Sequence, residues 1–549
     1  MKAIGICDGH DSGACLVVDG VLQAAVSEER LTGKKRQAGF PYESVRYCLD
    51  HAGGKVDAVA VAERSGRGIH RLLDHRYRTT NPNLPMDRIA NRLSSWVQNF
   101  VAANRFLSLP DRGLSQAVLA PRLGRIGLPH QPIIVEHHFA HALSAAVASG
   151  FDEALAVTMD AYGDGASNTV WLWEKGKLLP LCRVPFPHSP ALLYGMVTAV
   201  LGYVEGDEGK VSGLAATGDP TDTAPLFDRL FTVAPSGFRM TPALNYHRLR
   251  EVFACHEPAD IAAGLQESVQ NAAAQWVRGW IQRTGTTRLC LAGGLFANVR
   301  LNQVVMEQCG AEELFVFPHV GDGGLCVGAA WAIEPHRGRA TPHMYLGPEP
   351  GETDRMPLGT EPSPLDEAGL ARVAQTLANG GVVGIVQGSA EFGPRALGNR
   401  SVLFSPTDPQ IADRLSDALM RPKMMPYAPV VRAEDFAEMT DAKNSGAMRF
   451  MTVTCHAKAP IAKKAPTAVH VDGTMRLQVV DAQTAPLLHR ILGLFKARTG
   501  LPLLINTSFN KHTEPIVTTA KRAAELFGEL PLQCMILGDR IWWKTEPTG

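Results

Sequence analysis

No window of this 549-residue chain approaches eighteen uninterrupted apolar residues, so no segment reads as a membrane-spanning helix. The opening MKAIGICDGHDSGACLVVDG breaks its apolar run with charges within eight residues; it does not read as a signal peptide, and a cytoplasmic location is the expectation. Charge of either sign in excess is also missing, because 54 lysines and arginines meet 54 aspartates and glutamates. The chain as a whole therefore lacks the positive field on which nonspecific binding of nucleic acid or membrane surfaces depends, and neither is expected as a partner. Paired cysteines are absent as well. The ten cysteines, Cys7, Cys48, Cys182, Cys309 and Cys534 among them, are scattered and never take the CxxC spacing of a zinc knuckle or redox dithiol, so they are expected as reduced core residues.

What is present is an ordinary globular composition, 45% apolar and 20% charged, in a chain too long for a single core. The charge balance fails in one place. Arg64 through Arg125 holds eleven arginines and three aspartates with no lysine or glutamate. Apolar spacing around Ile89, Leu93, Trp96, Val97 and Phe100 gives a mostly helical insertion at about 64–130, either solvated arms or a wall favouring an acidic or bulky ligand.

Residues 2 to 27 alternate apolar side chains around Asp19-Gly20, a dipeptide suited to a tight hairpin, and read as two antiparallel strands with a polar GHDSGA loop before the second. The arrangement returns at 154 to 179, where ALAVTMD leads into AYGDGASN and TVWLWEKGKLL, with Lys175-Gly176 near its turn. The two segments read as copies of one unit. Such a duplication suits a cleft that takes phosphate between similar halves, because each Gly/Asp loop offers unhindered backbone N–H groups to an anion. The actin, hexokinase and sugar-kinase superfamily resembles this. A third element, LCLAGGLFANVRLN, runs an apolar strand into Gly293-Gly294 and then a helical pattern, a ready site for phosphate or ribose. Prolines 335, 342, 348, 350, 357, 362 and 364 suppress helix and strand, which sets a linker at 341–365 between a first domain, 1–340, and a second α/β domain, 366–549.

His137 and His141 in VEHHFAHALSAA are four apart in a helical window, which puts both imidazoles on one face, one turn apart. Asp160 and Asp322 each sit in a Gly-rich loop after an apolar strand and are placed to complete a metal shell. Taken alone, the histidine pair describes equally well two hydrogen-bonded residues at a helix end. The combination with AGGLFAN (Ala292 to Asn298), HDSGA (His10 to Ala14), SEERLTGKKRQAGFP (Ser27 to Pro41) and EGKVSGLAATG (Glu208 to Gly218) is more specific. With it, the first 340 residues resemble the N-terminal domain of the NodU/CmcH O-carbamoyltransferases, related to the universal tRNA threonylcarbamoyl-transfer protein.

The resemblance extends to the second domain through GSAEFGPRALGNRSVLFSP, RPKMMPYAPVV, HVDGTMRLQVV and PLLINTSFN, which look like the family's YrdC-like region. It implies iron or zinc held by His137, His141, Asp160 and Asp322. It also implies an adenine nucleotide near Gly293, Gly294, Asn298, Glu208, Lys210 and Gly213. Arg395, Arg400, Arg421 and Arg476, fixed cations among small residues, with Lys423, Asn506 and Ser508, are the candidates for carbamoyl phosphate and ATP with its magnesium ion. The implied reaction forms carbamoyl adenylate and passes the carbamoyl group to a hydroxyl of a small-molecule natural product, in tailoring such as antibiotic biosynthesis. His10, beside Asp11, is the candidate base, and a structural hydrogen-bonding role for it stands as the alternative. Other readings remain: a tRNA-modifying carbamoyl-transfer enzyme, disfavoured by neutrality, or a nucleotide-binding regulatory protein. Assembly as a homodimer is left open.

Overall fold

The computed structural model describes residues 1–62, 105–204, 206–241, 244–333, 343–352, 362–423 and 425–544. The centre of the arginine-rich insertion, 63–104, and the linker stretches 334–342 and 353–361 lie outside the described residues. By internal contacts the chain divides into two units, Met1–Glu28 with Arg36–Thr341, and Glu29–Lys35 with Pro342–Gly549.

The first unit holds two five-stranded sheets. Strands β1 (Lys2–Cys7), β2 (Gly13–Val18), β3 (Val21–Ser27), β4 (Ala58–Ala62) and β5 (Ile133–Val135) take the order β3-β2-β1-β4-β5. Next come β6 (Glu153–Gly163), β7 (Ala166–Glu174) and β8 (Lys177–Pro185). A separate pair, β9 (Phe231–Ala234) and β10 (Gly237–Met240), precedes β11 (Arg288–Ala292) and β12 (Glu313–Val316), and the second sheet runs β8-β7-β6-β11-β12. Each sheet is an antiparallel three-strand meander with two parallel strands added beside its first strand. The shared topology is the duplication that the repeated Gly/Asp loops predict.

Residues 2–27 form three strands rather than two, because the polar loop after Cys7 ends one strand before the hairpin begins. Asp19 and Gly20 have φ of 49° and 78°, and Lys175 and Gly176 have φ of 53° and 75°. Two consecutive positive angles are what a tight hairpin needs to match strand twist. Ile4, Ile6, Leu16, Val59 and Val61 pack with Leu119 and Leu123, both fully buried, from the helix Arg105–Gly124. The C-terminal end of the arginine-rich stretch is thus packed into a core rather than being a solvated arm.

Two helices set the geometry of the first unit. The helix His137–Ser149 is capped at its start by the Glu136 side chain, which accepts from Phe139 N, and at its end by left-handed Gly150. The helix Leu325–Ile333 lies against it and against β1. A Cβ built on Gly328 would fall 1.8 Å from Ala140 O, and one on Gly5 would fall 1.9 Å from Cys326 O.

In the second unit the strands are β13 (Ser363–Pro364), β14 (Val383–Val386), β15 (Arg400–Phe404), β16 (Ala428–Arg432), β17 (Cys455–His456), β18 (Thr474–Met475), β19 (Gln478–Val480), β20 (Leu503–Ser508), β21 (Cys534–Leu537) and β22 (Arg540–Trp543). Eight of them form a mixed sheet in the order β13-β22-β21-β14-β15-β20-β16-β19, and β17 pairs with β18. The proline-rich stretch ends in an edge strand, Ser363–Pro364, where a missing N–H costs nothing. Among the described residues no helix is long and apolar enough to cross a membrane.

Gly328→Ala is expected to destabilise the protein by about 1–3 kcal/mol, since the added methyl meets backbone that cannot swing aside. Denaturant unfolding reads this directly, and an unchanged midpoint would contradict the close packing of these two helices.

Candidate metal and anion sites

His137 and His141 project from the first two turns of their helix, and both rings are buried. Asp160 lies near the end of β6, where the register with β7 shifts between Met159 and Gly163, an irregularity that re-aims a strand's side chains. Asp322 opens the short turn Asp322–Gly324 that runs straight into the helix Leu325–Ile333. These elements bring the four side chains together. His141 Nε2 stands 3.4 Å from Asp160 Oδ2 and 3.6 Å from Asp322 Oδ1, and His137 Nε2 stands 3.8 Å and 3.9 Å from the same atoms. One ligand atom from each lies within 4.8 Å of every other.

The spacing fits an ion. Bonds of about 2.0–2.2 Å to a tetrahedral metal separate the ligand atoms by roughly 3.3–3.6 Å, longer than hydrogen bonds and close to the distances found. Neither ring nitrogen of buried His141 makes a hydrogen bond. Two imidazoles and two carboxylates are a donor set that suits iron or zinc. Burial opposes ionisation of Asp160, but the facing imidazoles of His137 and His141 outweigh it and hold its pKa well below the usual carboxylate range. Asp322 is lowered too: burial again opposes, and His10 leads the groups that overcome it. His10, largely exposed, places Nδ1 3.4 Å from Asp322 Oδ2 and Nε2 3.4 Å from Asp11 Oδ2.

The loop residues are more engaged than their sequence implies. Gly294 N donates to Asp160 Oδ2 at 2.8 Å, so this N–H orients a carboxylate instead of facing an open loop. Gly293, at φ 103°, leaves no room for a Cβ, which would fall 2.4 Å from Met159 O. Asn298 caps the helix Val299–Gln308 by accepting from Leu301 N, and its Nδ2 donates to Gln266 Oε1 at 2.7 Å. Gln266 Oε1 also accepts from Tyr194 and from Ser212, which ties Asn298 to the helix Glu208–Ala215 that contains Gly213. In that helix Glu208 accepts from Gly206 N, and Lys210 pairs with Asp207 at 2.9 Å.

In the second unit Arg395, Arg421 and Arg476 are each partly buried and form a group. Burial pushes Arg395 down to about 10, with Arg421 adding to the shift. Arg476 is driven well below its ordinary value by burial and by both neighbours. Among the described residues no carboxylate offsets these shifts; the Tyr427 phenol alone opposes the one on Arg421. Three confined cations without a carboxylate partner are a candidate site for an anion. Arg400 does not join them. It is fully buried, and its guanidinium donates to the carbonyls of Gln387, Asn399, Pro348 and Gly388, so it holds the loop and is not presented to a ligand. Lys423 is exposed and pairs with Asp417 at 3.3 Å. Ser508 is half-buried at the end of β20, and Asn506 is fully enclosed.

The family model described as Carbamoyltransferase N-terminus matches residues 2–331, and that described as Carbamoyltransferase C-terminus matches residues 374–544. The chain belongs to the carbamoyltransferase family. It is a transferase. Nodulation protein NolNO of Sinorhizobium fredii is 32% identical over 97% of this chain and 78% of its own length. Nodulation protein NolO of Bradyrhizobium diazoefficiens is 33% identical over 74% of this chain and 78% of its own length. Component A of the Acidaminococcus fermentans (R)-2-hydroxyglutaryl-CoA dehydratase covers 60% of this chain and 97% of its own, with 15% identity and a TM-score of 0.35. HypF of T. kodakarensis covers 60% and 47%, with 13% identity and a TM-score of 0.35.

Several residues that shape this carbamoyltransferase were not singled out in the sequence. Asp164 accepts from His137 N at 2.7 Å, and a Cβ on Gly163 would fall 2.1 Å from the His137 ring. Gln266 lies a third of the way along the 27-residue helix Pro258–Thr284. Glu391, almost fully buried, accepts from the N–H groups of Leu397, Asn399 and Arg400 and so braces the loop that carries Arg395. Only the Gly/Asp composition around Asp164 gives any local signal.

Gly163→Ala is expected to turn the His137 ring out of place while the fold survives. Atomic emission on the purified variant should find the bound iron or zinc reduced at least tenfold relative to the parent protein. Full retention of the metal would contradict the close approach.

Proposed function

We propose that this carbamoyltransferase is an ATP-dependent O-carbamoyltransferase acting on a hydroxyl of a small-molecule natural product. The observation that carries the reading is the convergence of His137, His141, Asp160 and Asp322, with His10 against Asp322, in a chain of this family. The second unit, read as YrdC-like, takes carbamoyl phosphate and magnesium-bound ATP, with Arg395, Arg421 and Arg476 gripping phosphate groups. One water is consumed overall, phosphate and pyrophosphate leave, and carbamoyl adenylate remains as the activated donor. The first unit receives that adenylate near Gly293, Gly294 and the helix Glu208–Ala215.

His137, His141, Asp160 and Asp322 hold iron or zinc in this reading, and the ion supplies Lewis acidity toward the carbamoyl oxygen or the adenylate phosphate. Gly294 N keeps Asp160 in the ligand orientation. His10, open to solvent on one side and set between Asp11 and Asp322, takes the proton from the attacking hydroxyl. The hydroxyl oxygen bonds to the carbamoyl carbon, the bond to the AMP oxygen breaks, and AMP leaves.

Incubation with ATP, carbamoyl phosphate and a panel of hydroxylated natural products, read by mass gain of one carbamoyl group, tests the reading. His10→Ala is expected to preserve pyrophosphate release that depends on carbamoyl phosphate and to slow transfer by about 10²–10⁴-fold. Equal loss of both steps would remove His10 from the transfer chemistry.

A further inference from the structure

Of the four clustered side chains, His137 is the one its own element supports least. It is the first residue of its helix, and the N–H groups of a helix's first turn have no partner within the helix, so the backbone there needs an acceptor from elsewhere. His141, one turn further in, is held by the helix itself. His137 also stands a little farther from both carboxylates, at 3.8 and 3.9 Å against 3.4 and 3.6 Å for His141.

Three side chains supply that support, and they close into a ring. Asp164 Oδ2 accepts from His137 N at 2.7 Å. Glu136, the residue before His137, caps the same turn by accepting from Phe139 N through Oε2. Arg183, on the edge strand β8, joins the two. One nitrogen of its guanidinium donates to Glu136 Oε1 at 2.8 Å and the other to the main-chain oxygen of Asp164 at 2.5 Å. The path from Arg183 through Glu136, the peptide bond to His137, the His137 N–H and Asp164 thus returns to Arg183. Asp164 and Gly165 make the tight turn between β6 and β7, and Asp164 sits at φ 51°, a left-handed angle that a residue with a side chain keeps when its surroundings hold it there.

We propose that Arg183 is a positioning residue for the metal: from the edge of the second sheet it fixes the start of the histidine helix, and with it the His137 imidazole, without being a ligand itself. The inference rests on reading His137, His141, Asp160 and Asp322 as a shared ion site. A guanidinium suits the task because its planar fork donates in two fixed directions at once, here to a carboxylate and to a carbonyl, and an ammonium has no such geometry. An exposed ion pair by itself contributes little. This one closes a ring that contains a metal ligand, and removing the outer partners of metal-binding histidines weakens metal binding by roughly tenfold to a hundredfold.

Zinc, used as the probe ion, is titrated into the metal-free full chain in competition with a chelating dye. Arg183→Met is expected to weaken zinc binding by roughly tenfold to a hundredfold, and Arg183→Lys by a smaller factor. Arg288→Gln is the control for a loss of ordinary surface pairing. Arg288 pairs with Glu313 at the same 2.8 Å and its side chain is 49% exposed against 46% for Arg183, but it lies on β11 and bridges to β12. Its variant should bind zinc as the parent does. An unchanged affinity in Arg183→Met, or an equal loss in Arg288→Gln, overturns the proposal. If methionine is not tolerated at 183, the lysine variant decides alone, and in either case a lysine variant that matches the parent overturns the role of the fork. A parent chain that takes up no zinc overturns instead the reading of the four ligands, and the proposal with it.

Discussion

Two carboxylates whose oxygens approach within 4.8 Å in a largely buried setting repel each other unless positive charge stands between or beside them. Much of the first unit is built around meeting that condition. Asp160 and Asp322 stay ionised because two imidazole nitrogens face both of them, and the gaps of 3.4 to 3.9 Å leave room for an ion but not for good hydrogen bonds. The scaffold that holds this arrangement is made of close backbone approaches. Gly328 lets one helix press on the histidine helix, Gly5 lets the same helix press on β1, and Gly163 makes space for the His137 ring. Each glycine is there for the room a side chain would take.

The second unit presents the opposite condition. Arg395, Arg421 and Arg476 confine positive charge with no carboxylate among the described residues to balance it; burial lowers all three pKa values, and repulsion from neighbouring arginines adds to the shifts of Arg395 and Arg476. Arg400, at the start of the strand that follows the same loop, donates to four main-chain carbonyls. Arg421 likewise donates to the main-chain carbonyls of Met425 and Pro426, so main-chain bonding does not by itself separate Arg400 from the other three. A cluster of positive charge in one unit and a cluster of metal-ligand type in the other thus occur in one chain.

Much of this was legible in the sequence, for identifiable reasons. The helical spacing of His137 and His141 and the Asp at the end of each apolar run survive folding because they depend on local periodicity. Duplicated Gly/Asp turns announced duplicated sheets because a turn with two positive angles tolerates few residue types. Other features were not legible. Arg400 and Arg395 share one glycine-rich motif, and only the partners of each side chain tell a brace from a ligand. Asn298 carries a family motif, yet its side chain is committed to a helix cap and to Gln266, a residue with no motif at all. The inward turn of Leu119 and Leu123 is hidden in a sequence dominated by arginine.

The central claim is that His137, His141, Asp160 and Asp322 share one ion. X-ray absorption at the metal edge of the purified protein tests it most directly. The account predicts an iron or zinc spectrum with two imidazole nitrogens and two carboxylate oxygens at about 2.0–2.2 Å. A spectrum dominated by sulfur neighbours, or a protein that holds no ion even when iron and zinc are supplied, would contradict it.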